Sequence, residues 1–371
     1  MRKVKQKTEQ KVPKTRRKVP KFVVPLVLLV VFSVATLLIL LPHLPEKPLE
    51  TPQKSYQGVL ELWNVETFEG GSGSLSAWLT ARAAKFESQH EGLFVHVTNL
   101  NVAQLQEKLD AGENFDILCY SRGVGSLVQG LLQPYSGSVA NVRDNMLLSG
   151  EVDNAVYALP VYAGSYCLFA RAEQLPANSD LLSSALSNTY TRKVGKHTYE
   201  LSPLSCGFTP YNSPLSALAM SGGRGKITAN ENVTQYTAYE NFIANKTSVT
   251  LLGTQRDLYR LLKREEMGKI EKLTYYPLSG YTDLVQYLSI SATCGDKAQS
   301  CNGFLEFVIS EASQQTLCNI NMFSVLEQAF YTQSIYQKCE SGLSSAYVPN
   351  VFGDADAIVA QRNTAIKTLG M

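Results

Sequence analysis

Residues 22–41, FVVPLVLLVVFSVATLLILL, run for twenty positions without a charge and are polar only at Ser33 and Thr36. As a helix, about 20 apolar residues span the ~30 Å hydrocarbon layer of a bilayer. A secretory signal has a shorter apolar stretch, roughly 7–15 residues, and then a small-residue cleavage site. Here Pro42, His43, Leu44 and Pro45 follow instead, and the first Cys of the chain is Cys119, so no lipidated Cys follows the run. Pro25 falls in the first turn, where its missing N–H costs little. A transmembrane helix over 22–41 is therefore expected in the lipid bilayer.

Charge sets its direction. Residues 1–21 carry ten Lys or Arg and one acid, Glu9, while the other 24 basic and 31 acidic residues leave 22–371 at −7. A basic tail beside a span stays in the cytoplasm and meets anionic lipid. The expected location is the cell membrane, single-pass, N-terminus cytoplasmic and everything beyond residue 41 extracytoplasmic. An acidic body also excludes nucleic acid as a partner, since phosphate binding requires a basic face. Pro42, Pro45, Pro48 and Pro52 favour an extended stalk over 42–57, rising ~3 Å per residue.

A 44% hydrophobic chain of 371 residues builds full cores, and at this length it divides into more than one domain. From residue 58, GVLELWNV reads as a strand, ETFEGGSGS as a loop, and Leu75, Trp78, Leu79 and Phe86 as a helix face. LFVHV and FDILC are further strands, separated by a helix carrying Val102, Leu105 and Leu109. This alternation predicts βαβ units and a mostly parallel sheet. Ligands of such sheets lie beyond the carboxyl ends of the strands. Three loops stand there: 64–74, 120–125 and 161–166.

Catalytic signatures are thin. His90 and His96 are not spaced as HExxH, Gly222–Lys226 lacks the Gly and Ser/Thr of a phosphate loop, and no GxSxG occurs. Asp354-Ala355-Asp356 lacks the further ligands of a calcium loop. No catalytic residue, metal or cofactor is assigned. The seven Cys contain no CxxC; Cys119 and Cys167 lie in apolar runs and read as buried thiols. Cys294 and Cys301 flank a short polar loop on the oxidising side and are expected to form a disulfide.

The succession LELWNVETFEGGSGSLSAWLTARAAKFESQHEGLFVHV, FDILCYSRGVGSLVQGLLQPYSG and VYALPVYAGSYCLFA, followed by TYYPLSGYTDLVQYLSIS and NGFLEFVISEASQQTL, resembles the extracellular solute-binding proteins of ABC importers, family 1, the sugar-binding type. The resemblance runs over most of 58–330. It implies an α/β, bilobed type 2 periplasmic-binding-protein fold, here preceded by one N-terminal transmembrane helix. Lobe 1 would take about 58–161 and 284–326, and lobe 2 about 162–283 and 327–371. The implied function is capture of a small ligand, a carbohydrate first of all, and its delivery to ABC permease transmembrane subunits.

On that fold the ligand would meet Trp63, Asn64 and Glu69 after the first strand, and Tyr120 and Ser121 after FDILC. Tyr162 and Ser165 stand at the first crossover, Tyr281 and Asp283 at the second. Aromatic faces suit sugar C–H surfaces, and fixed polar groups suit hydroxyls. Trp63 and Tyr166 also fit a core position. Arg122 keeps a carboxylate-bearing ligand open. Two other classes stand beside transport: a sensing or scaffold module of a membrane receptor, and an extracytoplasmic enzyme.

Overall fold

The computed structural model describes residues 56–171, 190–223 and 233–371. The basic tail, the apolar span and the stalk up to residue 55 lie outside the described residues, as does much of the Gly222–Lys226 loop. Among the described residues no helix is long and apolar enough to cross a membrane.

Two sheets organise the body. The first has β1 (Gly58–Val65), β2 (Leu93–Leu100), β3 (Ile117–Ser121), β4 (Leu132–Gln133), β5 (Leu159–Ala163) and β11 (Val285–Ser291). Its order is β2-β1-β3-β11-β4, with β5 also on β11. β1 is parallel to β2 and β3, whereas β11 runs antiparallel to its neighbours. Every residue of β3 and β11 is buried, as strands covered on both faces require. The second sheet is β10-β6-β9-β8-β7, from β6 (Tyr166–Arg171), β7 (Tyr190–Val194), β8 (His197–Cys206), β9 (Ser248–Thr254) and β10 (Leu273–Leu278). The fold is therefore two-lobed and mixed α/β.

Helices cover the sheets because their apolar residues recur on one side. In α1 (Leu75–Glu87), Leu75, Trp78, Leu79, Ala83 and Phe86 are buried, and the Ser74 hydroxyl caps the helix by accepting from Ala77 N. Phe86 meets Phe304 and Phe307 of α6 (Ala298–Ile309) at 5.3 and 5.5 Å between ring centroids. The second lobe is covered by α3 (Pro214–Met220), α4 (Gln235–Ile243) and α5 (Gln255–Glu266). The helix α2 (Val102–Asp110) follows β2, and two terminal helices, α7 (Ser334–Gly342) and α8 (Ala355–Thr368), end the chain.

The chain leaves the first sheet at Gly164–Ser165 and returns over 279–284. Tyr162 and Ala163 are still in β5, paired with β11, so the passage falls two residues later than the boundary expected from sequence. Gly164 N donates to Leu284 O at 2.6 Å, and Thr282 Oγ1 donates to Gly164 O at 3.0 Å. The two crossovers thus lie side by side.

Two expectations need correction. Cys294 and Cys301 are both free buried thiols. Cys294 caps the start of the short turn Gly295–Lys297 before α6, Cys301 is buried on that helix, and Cys294 Sγ accepts from Gln133 Nε2 at 2.9 Å. The pair meets as neighbouring thiols inside an apolar wall, and burial raises both pKa values. Trp63 belongs to the core: it is 4% exposed, with its ring 5.3 Å from Phe115 and Lys108 Nζ 5.3 Å from the ring centroid. Trp63→Ala should therefore lower unfolding stability by about 3–5 kcal/mol, the cost of emptying a large aromatic site. Urea denaturation checks this, and a loss under ~1 kcal/mol would contradict core placement.

Thr254 and Asp257 form a capping box, with Thr254 N donating to the Asp257 carboxylate at 3.1 Å. Burial outweighs that bond and the nearby Arg260 and Arg256, and pushes the Asp257 pKa up to about 6 from the ordinary 3.8. The folded state then holds a proton that the unfolded chain has released, so this group subtracts stability as pH rises from about 4 to about 6. Asp257→Asn removes that slope. The stability difference between variant and parent should move by about 2–3 kcal/mol in the variant's favour between pH 4 and 7, at ~1.4 kcal/mol per pKa unit. Denaturation at both pH values measures it; a pH-independent difference would sink the assignment.

Candidate functional site: the crevice between the lobes

The strand ends that should carry a ligand converge, but most of their side chains are already engaged. Asn64 Nδ2 donates to Glu66 Oε1 at 3.0 Å and Asn99 Oδ1 at 2.8 Å. The Tyr120 and Ser289 hydroxyls share a hydrogen bond of 2.9 Å, and Ser121 is hydrogen-bonded to Thr67. Tyr162 is wedged edge-on between Trp78 and Phe68, at 5.5 and 6.5 Å. Trp63, Asn64, Tyr120, Ser121 and Tyr162 are all buried, so their expected role as ligand contacts gives way to packing. For Asn64, Ser121 and Tyr162 the cover includes the loop after β1, which brings Glu66, Thr67 and Phe68 against them; Trp63 and Tyr120 are held by Phe115 and Ser289 instead.

Tyr281, Asp283 and Ser165 are drawn into the crossovers. Asp283 is buried and accepts from Tyr166 Oη at 2.6 Å, Tyr281 Oη at 2.8 Å and Ser213 N at 2.7 Å. Arg122 Nη1 stands 3.9 Å from the same carboxylate and donates to Tyr281 Oη at 3.1 Å. Burial raises the Asp283 pKa despite these partners, and burial together with the Asp283 charge raises those of Tyr166 and Tyr281. Arg122, the candidate for a ligand carboxylate, is thus occupied by the protein's own acid. Ser165 N donates to Gln255 Oε1 at 3.2 Å, and Gln255 Nε2 donates to Glu69 O at 2.8 Å. One amide side chain therefore ties the crossover to the loop 66–75.

Open space remains where that loop faces the second lobe. A hollow of about 490 Å³ is lined by Glu66, Phe68, Glu69 and Ser74 from the first lobe and by Thr209, Gln235 and Arg256 from the second. An adjoining hollow of about 360 Å³ shares Glu69, Thr209, Gln235 and Arg256, and adds Phe208, Tyr236 and Arg260. Among the sequence-expected residues, Glu69 is the one that lines this crevice, and it forms an ion pair with Arg256 across it. Tyr236 is 68% exposed and presents a free aromatic face. Glu66, whose pKa is raised by burial against hydrogen bonds from Asn64 and Ser76, completes the first-lobe wall. Glu69 is paired with Arg256, and Asp257 lies near Arg260 and Arg256, so acids and arginines are interspersed on a surface of planar polar groups and aromatic rings.

Sequence reasoning passed over the second-lobe wall. One signal was present: Thr254, the last residue of the apolar run SVTLLGT, opens Thr254-x-x-Asp257, a capping box that starts a helix at a strand's carboxyl end and so places Gln255 and Arg256 at the crevice. A comparable hollow of about 510 Å³, lined by Ser138, Asn141, Glu306, Glu311 and Glu327 among others, touches neither the crossovers nor the second sheet.

No protein-family model and no curated protein sequence matches the chain. Its fold does match solved structures. A sugar transporter of Rhizobium etli in an open conformation superposes with a TM-score of 0.57 at 11% identity, over 84% of this chain and 95% of that one. The GacH receptor of Streptomyces glaucescens, solved unliganded and with acarbose, gives 0.54 at 12% identity, over 85% and 99%. The maltotriose binding protein of Thermus thermophilus gives 0.54 at 13%, over 84% and 94%. The chain shares the two-lobed α/β fold of these proteins.

Proposed function

We propose that the protein captures a small carbohydrate in the crevice between its lobes, without chemical turnover, and delivers it to an ABC permease. In this reading the body is held outside the cell membrane by residues 22–41, with the N-terminus in the cytoplasm. The observation that carries the reading is the crevice itself. It draws its walls from both lobes and combines an exposed aromatic ring with Glu, Gln, Thr and Arg side chains of balanced charge. Sugars demand flat apolar faces together with fixed donors and acceptors, and a neutral sugar demands no net charge. The sequence resemblance to sugar-binding importer components and the fold shared with acarbose- and maltotriose-bound proteins support the same class. A ligand touching both walls favours the closed arrangement, and that differential affinity is what a permease would read.

Calorimetry with a panel of malto-oligosaccharides and related neutral sugars tests the reading. A binding sugar should lose about 30-fold in affinity with Tyr236→Ala, since truncating an aromatic anchor costs about 2 kcal/mol. Arg256→Ala should weaken the same sugar by roughly tenfold, a neutral-partner hydrogen bond to a charged group being worth ~1.5–3 kcal/mol. Both residues are accessible enough that the fold should survive. A sugar that binds parent and both variants equally would move the site out of this crevice, and absence of heat with every sugar would reject the substrate class.

A further inference from the structure

The chain does not end in one lobe. α7 lies on β10 of the second lobe, where a Cβ on Gly342 would come within 2.9 Å of Ser279. The next residues cross to the first lobe: Asn145 Nδ2 donates to Leu343 O at 2.8 Å and to Ala346 O at 2.6 Å. Tyr347 then joins the return crossover, its N donating to Gly280 O at 3.1 Å while its O accepts from Thr282 N at 3.0 Å. Val351 is back on the first lobe, with its N donating to Ser149 O at 2.8 Å. The backbone there is so close that a Cβ on Gly125 would stand 2.4 Å from Val351 O.

α8 then holds both lobes through adjacent residues. Gln361 Oε1 accepts from Arg122 Nη1 of the first lobe at 2.7 Å. Arg362 Nη2 donates to Thr209 O at 2.5 Å and to Asn212 O at 2.9 Å in the second lobe. The helix also packs on α3. A rotation that opens the lobes must therefore lengthen or break bonds on one side of this segment. Thr209 is itself a wall of the crevice, so the fastening acts on the surface a ligand would meet.

We propose that residues 343–368 are a strap that ties the two lobes together in the empty protein, so that the arrangement seen here is held before any ligand enters. Closure in a two-lobed binder is a hinge equilibrium, and contacts present only in one arrangement bias it. Here those contacts belong to the chain's own terminus. The inference concerns the unliganded protein and stands whichever ligand the crevice takes.

Hydrogen exchange on the full chain in detergent, with no sugar added, tests it. Gly125→Ala places a methyl group against Val351 O and pushes the strap off the first lobe; Gln361→Ala removes the Arg122 tie and adds no volume. Either change should accelerate exchange at crevice segments 66–75 and 206–213 by about tenfold or more, while β1 and β3 keep parental protection. Protection in β1 and β3 also reports that each variant is folded, and if Gly125→Ala fails there, Gln361→Ala decides. Exchange rising only within 343–368, or nowhere, would overturn the strap. Because no sugar is present, that failure is distinct from any failure of the substrate class.

Discussion

A buried carboxylate organises the junction of this molecule. Asp283 lies where the chain re-enters its first sheet, and its partners come from separate parts of the sequence: Tyr166 from β6, Ser213 from the cap of α3, Tyr281 from the crossover and Arg122 from beyond β3. A buried ion brings a desolvation cost that only good geometry offsets, and removing one partner of such a pair strands the other. Each element that supplies a bond to Asp283 is thereby held in register with the rest. The two crossovers, the loop after β3 and the first helix beyond β8 have little freedom to shift independently.

That junction explains where the crevice went. In an open two-lobed sheet protein, the carboxyl ends of the central strands are free for a ligand. Here Arg122, Tyr281 and Asp283 satisfy one another, and the loop 66–75 covers Asn64, Ser121 and Tyr162. What stays open is displaced toward the outer wall, between that loop and the first turns of α4 and α5. Gln255 couples the displaced site to the junction, because it holds Ser165 with one end of its amide and Glu69 with the other.

The fold was legible in the sequence because its signals are local and periodic. The apolar run FDILC leads into a strand buried on both faces, and Leu75, Trp78, Leu79 and Phe86 face the core as their spacing requires. The site was legible only in outline. Position after a strand located the right loops, but orientation within a loop depends on residues far away in the chain: Trp63 turns toward Phe115, and Tyr162 toward Trp78. The disulfide expectation failed for a related reason, since a six-residue spacing says nothing about whether a helix will carry one thiol into an apolar wall.

The order of strands in the first sheet has a consequence for how this protein is made. β11 sits between β3 and β4, at residues 285–291, whereas the strands it joins end by residue 163. The second sheet is built wholly from the intervening chain. During synthesis the first lobe therefore waits with an unfilled slot at its centre while the whole second lobe emerges and gains its own core. Contacts this distant in sequence form slowly, and an open strand edge in a waiting sheet invites foreign strands. A chain of this design needs protection from aggregation for the time taken to produce more than a hundred residues, and the last strand to arrive completes both the sheet and the hinge.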